Sequence, residues 1–176
     1  MKGKCFLLYV LCSAVAFTLY SQATADFDEK FKIYRESLIG KSIKAFKLAD
    51  LDNKKWNSND LKGKVIVINF WFTACKPCIL EMPHLNKLVN ENKDKPVVFI
   101  APAPETDAQI KKFLKKYSFD YHIIPSSLEY ITALGVENFP THLVIDKEGI
   151  VRQVFIGYAD DIKEKLQAEI DKLVKK

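Results

Sequence analysis

Apolar and polar positions follow two different periods along this chain, and the place where the period changes marks its centre. Val65, Ile66, Val67 and Ile68 form an apolar, β-branched segment in a buried strand predicted over 65–72. Beyond Cys75 the spacing becomes helical: Ile79, Met82, Leu85, Leu88 and Val89 share one face of a helix predicted over 76–92. Pro83 lies inside that helix and predicts a kink near its second turn. The apolar run between Pro96 and Pro102 predicts a second buried strand, which completes a βαβ unit with a right-handed crossover.

The flanks carry shorter patterns. An amphipathic helix is predicted over 26–39, with Phe27, Phe31, Tyr34 and Leu38 on one face and Gly40 as its stop. Residues 45–56 read as two short strands around Asp52-Asn53, and Ser58 to Leu61 as a single turn before Gly63. Thr106 and Gln109 form a capping box for a helix whose apolar face is Ile110, Phe113, Leu114 and Tyr117. A short extended segment over 121–124 and a short helix over 128–134 follow, the helix ending at Gly135. Strands over 142–146 and 150–156 are joined through Lys147-Glu148-Gly149, and a last helix over 159–175 buries Ile162, Leu166, Ile170, Leu173 and Val174. The order is α/β: one mixed central sheet with helices on both faces, preceded by a hairpin. No repeat or linker suggests a second domain.

Composition narrows the partners. With 176 residues, 48% of them hydrophobic and 28% charged, the chain is long enough for one domain with a full core. The net charge of +5 comes from lysines, since Arg35 and Arg152 are the only arginines. No basic stripe with interleaved aromatics is present, so no nucleic-acid partner is expected and the lysines read as solvated faces. Residues 1–25 read as a leader: Lys2 and Lys4, an apolar block from Cys5 to Tyr20, then Ala23-Thr24-Ala25. The block is shorter than the ~20 residues of a spanning helix. Export with cleavage before Asp26 is the first reading, and an uncleaved anchor in the inner membrane is the alternative. Val10-Leu11 ahead of Cys12 lacks the small residue of a lipidation site.

Removal of the leader leaves Cys75 and Cys78 as the only cysteines. They stand where the strand runs into the helix, and unpaired N–H groups and the helix dipole there favour a thiolate. On one helical turn the two sulfurs are neighbours that can close a small ring, and Pro77 fits a first turn that does not use its missing N–H. So small a loop constrains little of the unfolded chain, so the pair is present for its reactivity. Zinc would need further ligands, and the chain's three histidines are His84, His122 and His142, the first falling on the far side of the helix. No metal or other cofactor is expected beyond the redox-active pair itself. A peroxidatic Thr-x-x-Cys is absent, since Thr73 is two residues before Cys75 and five before Cys78.

Cys75 to Pro83, with Glu81 three residues after the second cysteine, then Phe139-Pro140-Thr141 ahead of a ββα ending, resembles the thioredoxin fold and, more narrowly, its TlpA/ResA-like branch. Leu61-Lys62-Gly63-Lys64 and the run from Val144 to Gly149 fit the same pattern, and the likeness covers about residues 38–176. The domain division expected is therefore a leader over 1–25, a helix over 26–37 and a thioredoxin-like domain over 38–176. Two positions depart from thioredoxins. Ala74 stands where Trp is common, and Asn69 where thioredoxin has a buried Asp that handles protons. An amide does not titrate, so the group that moves the proton must lie elsewhere, and Glu81 is the candidate.

The resemblance implies an exported thiol–disulfide oxidoreductase. Cys75, nearest the helix start and exposed, would be the nucleophile; Cys78, one turn in and more buried, would resolve the mixed disulfide. Lys76 would favour the thiolate by charge, and Glu81 would exchange a proton with Cys78, the alternative being a solvated helix glutamate. A cis Phe139–Pro140 bond would expose the Phe139 backbone to a substrate strand. Trp71, Lys76 and Pro77 complete the expected binding surface, with Trp71 and Phe72 at the rim of the site or in the core. His142 is read as a strand residue and Gly157 as either a close-approach or a turn glycine. The partners implied are protein disulfides of the envelope, apocytochrome c among them, and a membrane electron donor, with the chain a monomer in the periplasm. Net oxidation or isomerisation, and a metal-handling module on the same fold, are the alternatives.

Overall fold

The computed structural model describes residues 28–175, so the leader and the first two residues of the predicted N-terminal helix lie outside the description. Residues 28–38 form a helix, α1, with Glu29 and Lys32 paired at 3.5 Å and the Ser37 hydroxyl donating to the Tyr34 carbonyl. From Leu38 onward the chain is one compact unit.

That unit opens with the antiparallel pair β1 (Lys47–Ala49) and β2 (Lys55–Asn57), followed by a 3₁₀ turn over Ser58–Leu61. Asn53 takes a positive φ in the hairpin turn, a conformation asparagine tolerates better than most residues. A five-stranded sheet follows, built from β3 (Val65–Phe70), β4 (Val97–Pro102), β5 (His122–Ile124), β6 (Thr141–Ile145) and β7 (Val151–Ile156) in the order β5-β4-β3-β6-β7. Strands β3, β4 and β5 run parallel, and β6 and β7 are added antiparallel. The predicted mixed sheet is therefore present. β3 is at its centre and every residue of it is buried, as the apolar run Val65 to Ile68 requires, with Asn69 the one polar residue of the strand. It ends two residues earlier than predicted, leaving Trp71 and Phe72 in the connection to the helix.

Four helices complete the unit: α2 (Lys76–Glu91), α3 (Asp107–Leu114), α4 (Leu128–Ala133) and α5 (Ile162–Val174). α2 continues through Pro83 to a C-cap at Asn92, and Thr106 caps α3 in the predicted capping box with Gln109. One face of the sheet carries Val65, Val67, Phe99 and Val144, covered by Met82, Leu85 and Leu88 of α2, Ile110 of α3, and Ile162, Leu166 and Ile170 of α5. Each fully buried aliphatic side chain here stabilises the fold by about 1.5–3 kcal/mol. On the opposite face Phe70 meets Tyr130 of α4, whose ring also takes the edge of Phe46.

Two buried carboxylates hold the tight turns. Asp50 accepts the Asp52 and Lys54 N–H groups on Oδ1 and the Trp56 indole N–H on Oδ2, closing the first hairpin. Asp146 accepts the Glu148 and Ile150 N–H groups and pairs with Arg152, closing the turn between β6 and β7. Burial alone pushes both carboxyls up. Hydrogen bonds outweigh it and hold both below the ordinary carboxylate range: Trp56, Lys54 and Asp52 for Asp50, and Ile150, Arg152 and Glu148 for Asp146.

A depressed folded-state value means stability that is present above the ordinary carboxylate range and is lost as pH falls through the folded value. Asp146→Ala should lower urea-unfolding stability by about 2–3 kcal/mol at neutral pH, the cost of removing a charged acceptor from buried donors. Its deficit relative to the native chain should shrink as pH is lowered through the acid range. A deficit constant with pH would contradict the assignment.

Candidate active site

The end of β3 and the start of α2 bring the two cysteines to one point. Cys75 is the N-cap of α2, with extended backbone, and its Sγ accepts the backbone N–H of Cys78 at 3.2 Å. Ser, Thr, Asp and Asn normally fill this position with an oxygen. Here a cysteine sulfur takes that place. Lys76 and Pro77 occupy the first turn, and Cys75 and Cys78 are joined in a disulfide across a Cα separation of 5.3 Å. Cys75 is not exposed as expected: it is 3% accessible against 1% for Cys78. Phe72, packed beside the pair, and the neighbouring core leave a sulfur at this corner only a narrow opening.

The loop ahead of the helix is anchored from the far end of β4. Glu105 Oε1 accepts both the backbone N–H and the hydroxyl of Thr73 at 2.7 Å each. Trp71, expected in the binding surface, is fully buried instead. Its indole N–H reaches the Ala101 carbonyl at 3.3 Å, and its rings lie 5.3 and 5.4 Å from those of Phe113 and Phe119. It shows no surface to a partner. Phe72, half-buried, occupies the rim.

Phe139 and Pro140 come to the same corner. Their peptide bond is cis, and the Phe139 ring meets the Phe72 ring edge-on at 5.2 Å. Pro140 is buried and its carbonyl accepts the Gly157 N–H at 2.8 Å, while the Thr141 hydroxyl donates to the Asn138 carbonyl. Gly157 has φ +82° and open space where a Cβ would lie, so its turn conformation, rather than close approach, calls for glycine. Around the pair Ala74, Lys76 and Leu80 are exposed and Pro77 and Ile79 half-buried.

Glu81 excludes its solvated reading. It has no accessible surface, and Oε2 lies 3.0 Å from Nε2 of His142, itself fully buried. The other ring nitrogen, Nδ1, is 3.2 Å from the side-chain amide nitrogen of Asn69, and Asn69 and His142 are register partners on β3 and β6. The pattern-based reading placed His142 in its strand and missed this contact, as it missed Glu105. One signal was present: a histidine within an otherwise apolar strand needs a polar partner when buried. His84 is exposed on α2. Among the described residues no group of three or more His, Cys, Asp or Glu side chains is placed to hold a metal ion.

The Redoxin family model matches residues 38–170. The chain belongs to this family. It is 39% identical over 172 residues to the thiol-disulfide oxidoreductase ResA of Bacillus cereus, covering 97% of this chain and 94% of that one. The ResA of Halalkalibacterium halodurans is 32% identical, with 96% and 92% covered. A crystal structure of a thiol:disulfide interchange protein of the thioredoxin family from Chlorobium tepidum superposes with a TM-score of 0.67 at 25% identity, covering 77% of this chain and 97% of that one. The fold is the thioredoxin fold, and this redoxin is a ResA-like protein-disulfide oxidoreductase whose Cys75–Cys78 pair has the CxxC spacing of that chemistry.

Glu105→Ala should free the loop before the helix. Two hydrogen bonds to one carboxylate oxygen are worth about 1.5–3 kcal/mol, so amide exchange at Thr73 should accelerate roughly tenfold or more by mass spectrometry or NMR. Unchanged exchange there would show that the loop does not depend on Glu105.

Proposed function

We propose that Cys75 is the attacking sulfur, that Cys78 resolves the mixed disulfide, and that the enzyme works as a reductant of protein disulfides in the cell envelope. The observation that carries this reading is the Cys78 N–H directed at Cys75 Sγ at the first turn of α2. Once the disulfide is open, that N–H and the helix dipole stabilise negative charge on Cys75, and among the described residues no equivalent donor is directed at Cys78. The cycle balances. Cys75 thiolate attacks a substrate disulfide and expels one substrate thiolate. Cys78 then loses its proton and attacks Cys75 Sγ, the second substrate thiolate leaves, and two electrons have passed from enzyme to substrate.

Glu81 is the acceptor for the Cys78 proton. It lies one turn further along α2, on the same side as Cys78, and its Oε1 has no hydrogen-bond partner among the described residues. Phe139 and cis-Pro140, with Lys76, Pro77 and half-buried Phe72, form the surface that receives a substrate strand. The leader over 1–25, read from its charge and apolar pattern, supports export to the envelope, with retention as an anchor the alternative. No described helix is long and apolar enough to cross a membrane. A membrane donor would return electrons to the pair, apocytochrome c is among the substrates the family likeness suggests, and the chain acts as a monomer. Net oxidation by the same pair is the competing direction.

Two measurements test this. Cys78→Ser expressed in the native envelope should accumulate reductant-sensitive adducts on Cys75, absent from the Cys75→Ser, Cys78→Ser double variant. No adducts at all would count against Cys75 as nucleophile. The reduction potential of the native pair should fall toward the reducing end of the CxxC range, near about −270 mV, whereas a value near about −120 mV would reverse the direction of electron flow.

A further inference from the structure

The buried side of the site holds more than the Glu81 carboxylate alone. β3 and β6 place Asn69 and His142 directly opposite each other, and α2 lays Glu81 over them, so that an unbroken row runs Asn69, His142, Glu81, its last member one helical turn past Cys78. All three are 2% accessible or less. With the Asn69 amide nitrogen as donor, Nδ1 of His142 is the acceptor, which leaves the ring proton on Nε2, directed at Glu81 Oε2. Glu81 Oε1 and Asn69 Oδ1 have no hydrogen-bond partner among the described residues. One carboxylate oxygen is therefore held and the other is free.

We propose that His142 is a positioning residue for the resolving step: its Nε2–H holds Glu81 Oε2 so that Oε1 remains the oxygen that takes the Cys78 proton. The proposal rests on the reading of Cys78 as the resolving thiol and Glu81 as its acceptor. Atom by atom, the proton leaves Cys78 Sγ for Glu81 Oε1, Cys78 thiolate forms the bond to Cys75 Sγ, and the substrate sulfur departs with the electron pair of the bond that breaks. Nε2–H donates to Oε2 before and after the transfer, so His142 exchanges no proton. Without a fixed donor a carboxylate in this dry pocket would turn toward any other polar group or toward solvent, and its distance to Cys78 would no longer be set.

The titratable surroundings are few. α2 contributes Cys78 and Glu81, and Cys75 caps it. Tyr121, ahead of β5, is buried, and burial first and the charge of Glu81 second hold its hydroxyl protonated far above neutral pH. Tyr158, beyond β7, is raised by its hydrogen bond to Asp160 and then by burial and the charges of Asp160 and Glu81. From the strands, β3 presents Asn69 and β7 presents Phe155 opposite His142, neither of which titrates. Of these groups only His142 is placed within hydrogen-bond distance of Glu81 among the described residues; the protonated Tyr121 hydroxyl is the other buried donor nearby and makes no hydrogen bond among them.

A single-turnover reaction of the reduced protein with a bis-nitrobenzoate disulfide separates the steps, because each releases one coloured thiolate: the first reports attack by Cys75, the second resolution by Cys78. His142→Leu should slow the second release about tenfold at neutral pH and change the first less than twofold. The difference should close at alkaline pH, where hydroxide removes the Cys78 proton. His142→Gln, which can present an amide N–H near the Nε2 position, should recover most of the rate, and Glu81→Gln should slow the second step more than His142→Leu, toward about a hundredfold. A second release unchanged in His142→Leu while Glu81→Gln is slow overturns the role of His142 alone. Both releases falling together in His142→Leu also overturns it, since that is the signature of general disorder at the site. Absence of the first release in the native protein, or a fast second release in Glu81→Gln, overturns the underlying reading instead. Should His142→Leu fail to fold, ¹⁵N NMR of the native protein decides: the account requires a proton on Nε2, and a bare Nε2 contradicts it.

Discussion

The structure turns on one backbone hydrogen bond, from the Cys78 N–H to the Cys75 sulfur. A helix N-terminus must satisfy donors that have no partner within the helix, and an oxygen side chain usually does so. Here sulfur takes the place of that oxygen, so the group that starts the helix is one of the two sulfurs of the redox pair. Two effects oppose each other at this atom. Burial to 3% accessibility disfavours a thiolate. A hydrogen bond to a charged acceptor contributes about 1.5–3 kcal/mol and the helix terminus up to ~2 kcal/mol. The donors act on the ionised form at contact distance, and the proposed role of Cys75 requires that they outweigh burial.

What lies beneath has the opposite character. Glu81, His142 and Asn69 are polar groups with essentially no access to water, and a carboxylate so placed is costly unless held by donors. Sheet geometry supplies the donor. The antiparallel register puts His142 across from Asn69, and the helix that carries the cysteines also carries Glu81 onto that face. The same strand–helix unit therefore carries the disulfide at the start of the helix and the buried Glu81 one turn past Cys78.

Local pattern made much of this legible. The β-branched run at Val65 to Ile68 can be little other than a buried strand, the capping box at Thr106 and Gln109 is present, and Asp52-Asn53 turns the first hairpin. The cysteine pair and the cis Phe139–Pro140 bond stand where motif and resemblance put them. What stayed hidden is non-local. The Glu81–His142 contact joins residues 61 apart and the Thr73–Glu105 contact residues 32 apart, and neither separation leaves a periodic trace. Trp71 and Cys75 were misjudged for a related reason. A residue just past a strand has no period to say which way it faces, and packing against Phe113 and Phe119 drew the indole inward. A polar residue inside an apolar strand, as His142 is, was the one clue available.

The acidity of Cys75 tests the central claim most directly. In the reduced Cys78→Ser protein, the rate of iodoacetamide alkylation should be followed against pH in the native state and again in urea. The account predicts that thiolate formation at Cys75 in the native protein is half complete well below the pH at which it is half complete in the unfolded chain, where the sulfur behaves as a free cysteine near ~8.5. Coincident curves would mean that the helix terminus does nothing for the sulfur, and would contradict the account.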